Sequence, residues 1–402
     1  MDHPKYQLIN GNCLEVLKQL PDNSIHCVCT SPPYFLMRDY GLPKTTWEDG
    51  WVGCLGLEPS PEMYVSHMVE IFREIKRVLH KTGTCWLNLG DKYAGDTGGR
   101  GNYANVTDKQ NSNLGSLSIS KTVKWNHPTI KKKDAIGIPW MVAFALRTDG
   151  WYLRSDIIWL KPNCLPGSYT DRPVLAHEYI FLLSKSERYY YDHIAVQEPA
   201  AWDRWGKQTI KKGNQGTASW IEEKGKEELE EKTHKNKRTV WSIPTANFPE
   251  AHFAVMPNAL VEPCVLAGTS AGGCCPECGN PLVRKVDKER VATRPGKNNK
   301  HDSTEMANRD PGRHITTYET KGWEKTCNHD FVEPVPCKVM DIFNGAATVG
   351  EVALSKDRDY IGIELNPEYI EISRRRLEKI DPIFIEESEI FKIGDINDTN
   401  KS

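Results

Sequence analysis

Near the C-terminus a strand, a glycine-bearing turn, a helix and a second strand ending on an acid follow one another. No other stretch of the 402-residue chain narrows the fold as far. Val339-Met340-Asp341 leaves a buried strand, the chain turns on Gly345, and a helix begins around Thr348 and Gly350. Tyr360-Ile361-Gly362-Ile363-Glu364 is the next strand. Glycine lets a ligand approach the backbone, and an acid ending the next strand can accept hydrogen bonds from two ribose hydroxyls. The pattern points to a nucleotide-type cofactor on an α/β sheet; the plainer reading is a glycine kept only for the turn. No Gly-Lys-Ser/Thr follows, so the turn is not a phosphate cradle.

The N-terminal part has the same rhythm. Residues 6–9 read as a strand and 13–20 as a helix with Leu14, Leu17 and Leu20 on one face. Ile25–Thr30 is a buried-strand pattern halted by Ser31-Pro32-Pro33. Residues 61–80 form an amphipathic helix, followed by strands at 85–89, 151–160 and 178–184. Alternating strands and helices predict a parallel α/β sheet with helices on both faces. Polar stretches at 92–133, 203–239 and 273–335 then hang from it as inserts.

Composition limits the partners. Apolar residues make up 39%, charged residues 26%, and the formal net charge is −2, which speaks against a small basic DNA-coating protein but not against a nucleic-acid enzyme with a local basic surface. No apolar run is long enough for a membrane span, and the N-terminus has no signal-peptide pattern, so the expectation is a cytoplasmic protein without membrane association. Twelve cysteines in such a chain suggest thiols or metal ligands rather than disulfides.

Two clusters carry chemistry beyond the glycine turn. In Ser31-Pro32-Pro33-Tyr34 the prolines lock the backbone, so the Ser31 hydroxyl and the Pro32 carbonyl are fixed in direction. Tyr34 places an aromatic face beside them, which suits a flat ring bearing an amino group. In the 273–335 insert, Cys275-Pro-Glu-Cys278-Gly has the shape of a metal knuckle, and Cys327-Asn-His329 can complete a tetrahedral zinc site. Cys274 is an alternative ligand, and unliganded thiols are the plainer reading.

Ser31-Pro-Pro-Tyr34 near the N-terminus, followed late by Asp341-Ile-Phe343-Asn-Gly345 and Gly362-Ile-Glu364-Leu-Asn-Pro, resembles the β group of site-specific DNA amino-methyltransferases. Arg38-Asp-Tyr-Gly41, Leu87-Asn-Leu-Gly-Asp91, Lys161-Pro-Asn163, Thr170-Asp-Arg-Pro173 and His177-Glu-Tyr179 look like stretches of phage and prophage members. The resemblance implies a Rossmann-like methyltransferase sheet and S-adenosylmethionine as methyl donor. The acceptor would be an exocyclic amine in flipped-out double-stranded DNA. It places Ser31, Pro32, Pro33 and Tyr34 at the target base and Asn12, Asp341, Phe343, Gly345, Ala347, Thr348, Glu364 and Asn366 at the cofactor. Serine at the head of the motif is typical of cytosine-N4 enzymes; adenine-N6 members more often carry Asp, and an inactive DNA-binding relative is a third reading. The chain departs from the family pattern at Ala347, where a second glycine is usual, at Ile342 in place of Pro, at Asn12 in place of Asp, and at residues 35–37.

The resulting division of the chain is a catalytic half at 1–200, a charged insert at 201–240 as a candidate DNA contact, and a segment at 241–272 that closes over the cofactor. A zinc-binding insert at 273–335, a cofactor half at 336–384 and a tail at 385–402 complete it. His252 in the closing segment is equally a core histidine. The sequence leaves open whether a cognate restriction enzyme exists as a partner. The sequence leaves the oligomeric state open.

Overall fold

The computed structural model describes residues 5–37, 39–95, 127–164, 166–167, 169–199, 234–246, 255–292, 314–380 and 389–392. His252, Arg38 and nearly all of the 203–239 stretch lie outside the described residues. The chain forms two compact units: one from the chain up to Tyr191, Thr239–Leu282 and the chain from Lys325 on, the other from Asp192–Arg238 and Val283–Glu324.

In chain order the elements are β1 (Tyr6–Asn10), α1 (Cys13–Gln19), β2 (Ile25–Thr30), β3 (Thr45–Thr46), β4 (Val52–Gly53), α2 (Pro61–Val78), β5 (Leu79–Leu89) and α3 (Ile138–Thr148). There follow β6 (Tyr152–Leu160), β7 (His177–Ser184), β8 (Glu198–Pro199), β9 (His234–Lys235), β10 (Val240–Ser242) and α4 (Asn258–Gly268). The last are β11 (Val283–Ala292), β12 (His314–Glu324), β13 (Lys338–Asp341), α5 (Thr348–Ser355), β14 (Asp359–Glu364), α6 (Pro367–Leu377) and β15 (Glu389–Lys392).

The first unit is a nine-stranded sheet in the order β10-β6-β7-β5-β2-β13-β14-β1-β15. Its neighbours pair in parallel except at β7, which runs antiparallel to both β5 and β6. The expectation of a parallel sheet therefore holds for eight strands and is corrected for β7; a short apolar strand reads alike in either direction. The helical boundaries also shift. The predicted helix 61–80 ends at Val78, because Leu79 already pairs with Ile25 and β5 begins there rather than at Cys85.

Helices cover both faces. Val28, Cys85 and Leu87 point into a buried core with Met68, Ile71 and Phe72 of α2. The alternate residues of the same strands, Cys27, Thr84 and Trp86, meet α4. There a side chain at Gly268 would come within 2.6 Å of Thr84 Oγ1, so glycine permits the close approach of helix and sheet. Every residue of β2 is buried, as a central strand covered on both sides requires. Ser60 caps α2 by accepting from Met63 N at 3.2 Å, with Pro61 in the first turn. Burial of a side chain such as Phe72 contributes about 1.5–3 kcal/mol, so this helix face is a principal source of stability.

In the second unit β11 and β12 form an antiparallel hairpin with an irregularity between Lys285 and Val286. Arg284 donates to the buried Asp192 carboxylate at 2.7 Å, and its guanidinium lies 4.6 Å from the Trp323 ring centre. No helix among the described residues is long and apolar enough to cross a membrane.

Candidate active site

A cavity of about 470 Å³ opens at the carboxyl ends of β2, β5, β13 and β14, the position at which open α/β sheets bind ligands. Its wall includes Asn12, Ser31, Pro32, Pro33, Tyr34, Asp341, Phe343, Gly345, Thr348, Glu364 and Asn366, so the two turns singled out in the sequence share one cavity. Ala347 is fully buried behind it.

The Gly345 turn is organised by Glu364. Glu364 accepts from Gly345 N through Oε2 at 2.8 Å and from Asn366 N through Oε1 at 2.9 Å. Each carboxylate oxygen keeps a further lone pair. Burial raises the Glu364 carboxyl above its ordinary value against these backbone bonds. Asp341 accepts from Thr30 Oγ1 at 2.7 Å and from Phe343 N at 3.0 Å, and burial pushes its carboxyl up to about 7. Ala347 caps α5 with φ 56° and ψ 39°, the left-handed region that favours glycine. The backbone here suits glycine, and this chain meets the requirement with a small but strained residue. Gly350 serves packing instead: a side chain there would meet the Tyr360 ring at 2.5 Å.

Asn12 lines the cavity, but its polar atoms are engaged. Its Oδ1 accepts from Leu14 N at 2.9 Å as the cap of α1, and its Nδ2 donates to Thr45 Oγ1 at 2.7 Å. Asn366 similarly caps α6 by accepting from Glu368 N. Thr348 is buried and accepts from Arg376 Nη1 at 3.1 Å.

The Ser31–Tyr34 turn is clamped from three directions. Tyr64 of α2 donates to the Pro33 carbonyl at 2.9 Å, and Leu36 N donates to the Gly56 carbonyl at 2.7 Å. Gly56 N in turn donates to Glu58, whose other oxygen faces His67 Nδ1 at 3.0 Å. The Tyr34 ring lies against Gly90, where a side chain would stand 2.7 Å from the ring. The Tyr34 hydroxyl donates to Glu178 Oε2 at 2.8 Å, with Ser31 Oγ 3.3 Å from it and Asn88 Oδ1 at 3.1 Å. Lys161 Nζ bonds the other Glu178 oxygen and lies 4.3 Å from the Trp159 ring centre. Burial, then the Glu178 carboxylate, holds the Tyr34 phenol well above its ordinary pKa, so it stays protonated.

Asn88, Trp159, Lys161 and Glu178 line the same cavity, and sequence reasoning gave them no role. Lys161 and Glu178 fell within stretches that resemble phage enzymes, but their meeting depends on the direction of β7.

The predicted metal ligands also converge. The Sγ atoms of Cys275, Cys278 and Cys327 and a ring nitrogen of His329 lie within 4.8 Å of one another, and Cys275 Sγ is 3.5 Å from His329 Nδ1. The His329 Nε2 faces Glu277 at 3.9 Å. Burial pushes the Cys275 thiol up, but hydrogen bonds from the Cys278 and Glu277 backbone and the neighbouring thiols outweigh it, leaving the group at about 7. Cys274 points away from this group, with its Sγ 3.5 Å from the Val335 carbonyl.

Comparison with known proteins identifies the family. Residues 25–275 match the N6/N4 methyltransferase family, described as DNA methylase. The type II methyltransferase M.Cfr9I of Citrobacter freundii is 36% identical over 375 residues, covering 93% of this chain and 88% of its own. M.SmaI of Serratia marcescens is 34% identical over 374 residues, covering 92% and 90%. Among solved structures, the PvuII DNA methyltransferase (cytosine-N4-specific) superposes with a TM-score of 0.50 over 97% of this chain and 98% of that one, at 18% identity, a likeness of fold. With the family profile spanning more than half of the chain and relatives above 30% identity along nearly all of it, the chain belongs to the N6/N4 family of DNA methyltransferases.

Proposed function

We propose that the chain transfers a methyl group from S-adenosylmethionine to the exocyclic N4 amine of a cytosine flipped out of duplex DNA. The observation that carries this reading is the single cavity that holds both the Ser31–Tyr34 turn and the Gly345–Glu364 turn.

The cofactor-side residues fit such a donor. Glu364 has unused lone pairs on both oxygens for ribose hydroxyls, and Phe343 gives an apolar wall. Asp341, Gly345, Ala347, Thr348 and Asn366 shape the turn around it, and Asn12 borders it. When bound, S-adenosylmethionine supplies a methyl group already activated by its sulfonium, so the protein has chiefly to align and desolvate.

At the other end of the cavity Ser31 Oγ and the Pro32 carbonyl accept from the amine N–H groups, which favours a more pyramidal and nucleophilic nitrogen. Direct in-line transfer needs no covalent intermediate. The Tyr34 ring offers a stacking face while Glu178 and Asn88 hold its hydroxyl and Lys161 holds Glu178. Ser31 is short and neutral, which matches the N4 amine of cytosine; adenine's N6 amine more often meets Asp. A restriction enzyme of the same specificity is the partner such a modification serves, and the inserts at 92–133, 203–239 and 279–326 are candidate DNA contacts. The same reading gives the chain a second bound species, a structural zinc ion on Cys275, Cys278, Cys327 and His329. It stands outside the chemistry, because a sulfonium needs no Lewis acid to release its methyl group.

Incubation with S-adenosylmethionine labelled in its methyl group and duplex DNA tests the reaction. Label should appear in DNA and be lost in Ser31→Ala, while DNA affinity changes little because phosphate contacts dominate it. Label absent from DNA of varied sequence, or undiminished in Ser31→Ala, contradicts the assignment.

A further inference from the structure

Two buried histidines sit far from the cavity, at the amino ends of the strands that build it. His26 lies on β2 and His80 on β5, with their rings stacked at 5.6 Å. The pairing of these strands is broken at that point. Ile25 pairs with Leu79, yet the next registered pair is Cys27 with Thr84, so His80–Gly83 loops out of the ladder.

Both rings are oriented by the backbone. Lys338 N donates to His26 Nδ1 at 2.9 Å, which leaves the proton on Nε2 for the Gly279 carbonyl at 2.8 Å. Thr82 N donates to His80 Nδ1 at 3.2 Å, and His80 Nε2 donates to the Cys278 carbonyl at 3.1 Å. The break in the sheet is therefore bridged by two consecutive carbonyls of the Cys275–Gly279 knuckle. Gly279 has φ 70°, and a side chain there would stand 3.3 Å from the His80 ring, so this close seat requires glycine.

The knuckle is a short hairpin: Cys275 N donates to the Asn280 carbonyl and Leu282 N to the Gly273 carbonyl, while Cys274 and Val335 exchange backbone bonds. Gly279 N donates to the Cys275 carbonyl, and Thr326 Oγ1 donates to the Pro281 carbonyl at 2.9 Å, joining the two ligand-bearing arms. Between those arms the chain runs out through β11 and back through β12, which pair from Val283 with Glu324 onward, and a metal joining Cys278 to Cys327 adds a clip to the two chain ends that lead into that hairpin. With zinc–sulfur bonds of about 2.3 Å and zinc–nitrogen bonds of about 2.0 Å, a tetrahedral centre separates sulfur from nitrogen by about 3.5 Å. The Cys275 Sγ to His329 Nδ1 distance is 3.5 Å.

We infer that the zinc-loaded knuckle is a positioning device for the methyltransferase sheet, holding the Cys278 and Gly279 carbonyls against His80 and His26 and so fixing the amino ends of β5 and β2. The inference rests on the zinc reading of the tetrad. The Ser31–Tyr34 turn begins five residues beyond His26, directly after the end of β2, so slack introduced at the knuckle is passed along β2 to the catalytic turn.

The test combines metal analysis with amide hydrogen exchange on the full-length protein, purified under reducing conditions with added zinc. One zinc per chain is expected. Removal by chelation should speed exchange at the amides of Cys27, Cys29 and Thr84 at least tenfold, and restoring zinc should reverse it. His80→Ala should keep its zinc and still show faster exchange at these amides. Protein that takes up no zinc contradicts the zinc reading itself. Protein that binds one zinc, but whose β2 and β5 amides exchange at the same rate with and without it, overturns the positioning role and leaves the zinc site standing.

Discussion

The Thr30 hydroxyl donates to Asp341 Oδ1 at 2.7 Å, joining the last residue of β2 to the last residue of β13. One residue beyond Thr30 the chain enters the Ser31–Tyr34 turn, and two beyond Asp341 it reaches Phe343. This buried bond extends the β2–β13 pairing, registered at Cys27–Val339 and Val28–Met340, to the strand ends where the two turns of the cavity begin. Thr30→Val preserves shape and removes the donor, leaving Asp341 with the Phe343 backbone N–H alone. Loss of one bond to a buried acid should cost roughly 1–3 kcal/mol in denaturant unfolding. An unchanged midpoint contradicts this.

Asp341 also makes stability depend on pH. Its carboxyl ionises near 3.8 ordinarily and at about 7 in the folded protein, chiefly through burial. Between these values the folded chain holds a proton that the unfolded chain has released, so this contribution is full below the lower value and is lost as pH rises through the upper one. Asp341→Asn cannot ionise and lacks the decline. Unfolding measured at pH 4 and pH 8 should show the variant gaining on the parent at the higher pH; an equal difference at both contradicts the assignment.

Ala347 is held at φ 56°, in the left-handed region. Ala347→Gly should stabilise the protein by about 0.5–1 kcal/mol, since relief of the strained backbone exceeds the entropy that glycine adds to the unfolded chain. Thermal unfolding checks it, and calorimetry should find S-adenosylmethionine binding at least as tight as in the parent. A lower melting temperature contradicts the strain argument.

Glu364→Ala removes both the acceptor of the Gly345 and Asn366 N–H groups and the proposed ribose contact. Binding of S-adenosylmethionine should weaken by roughly 1–3 kcal/mol in calorimetry. Unchanged affinity removes Glu364 from the cofactor site.

Much of this site was legible in the residues. The prolines after Thr30 marked where a buried strand had to stop, the glycine turn and Glu364 came to line the same cavity as Ser31–Tyr34, and the Cys-x-x-Cys and Cys-x-His pairs meet in the fold. Glu178 was not legible, for a topological reason. In a parallel strand the last residues lie at the ligand-binding edge, but β7 runs the other way, so its second residue lies there instead. Nothing local in His177–Ser184 encodes that reversal. His26 and His80 were hidden for a similar reason, because their partners are backbone carbonyls about 250 and 200 residues away and leave no pattern in the sequence. Asn12 lines the cavity as the resemblance places it, and its further service as the cap of α1 was not read from the sequence.

Tyr34 separates ring from hydroxyl in one pair of variants. Tyr34→Phe keeps the stacking face and loses the bond to Glu178. Tyr34→Ala loses both, including stacking worth about 1–3 kcal/mol on base–aromatic platforms. Turnover should fall modestly in the first and by a further order of magnitude or more in the second, with cofactor affinity unchanged in both. Full activity in Tyr34→Ala contradicts the base-stacking role.

The identity of the modified base bears most directly on the reading of Ser31. DNA methylated by the purified protein, digested to nucleosides and separated by mass spectrometry, should contain N4-methylcytosine, absent when Ser31→Ala replaces the parent. N6-methyladenine in its place would contradict the link between a short neutral Ser31 and the cytosine amine.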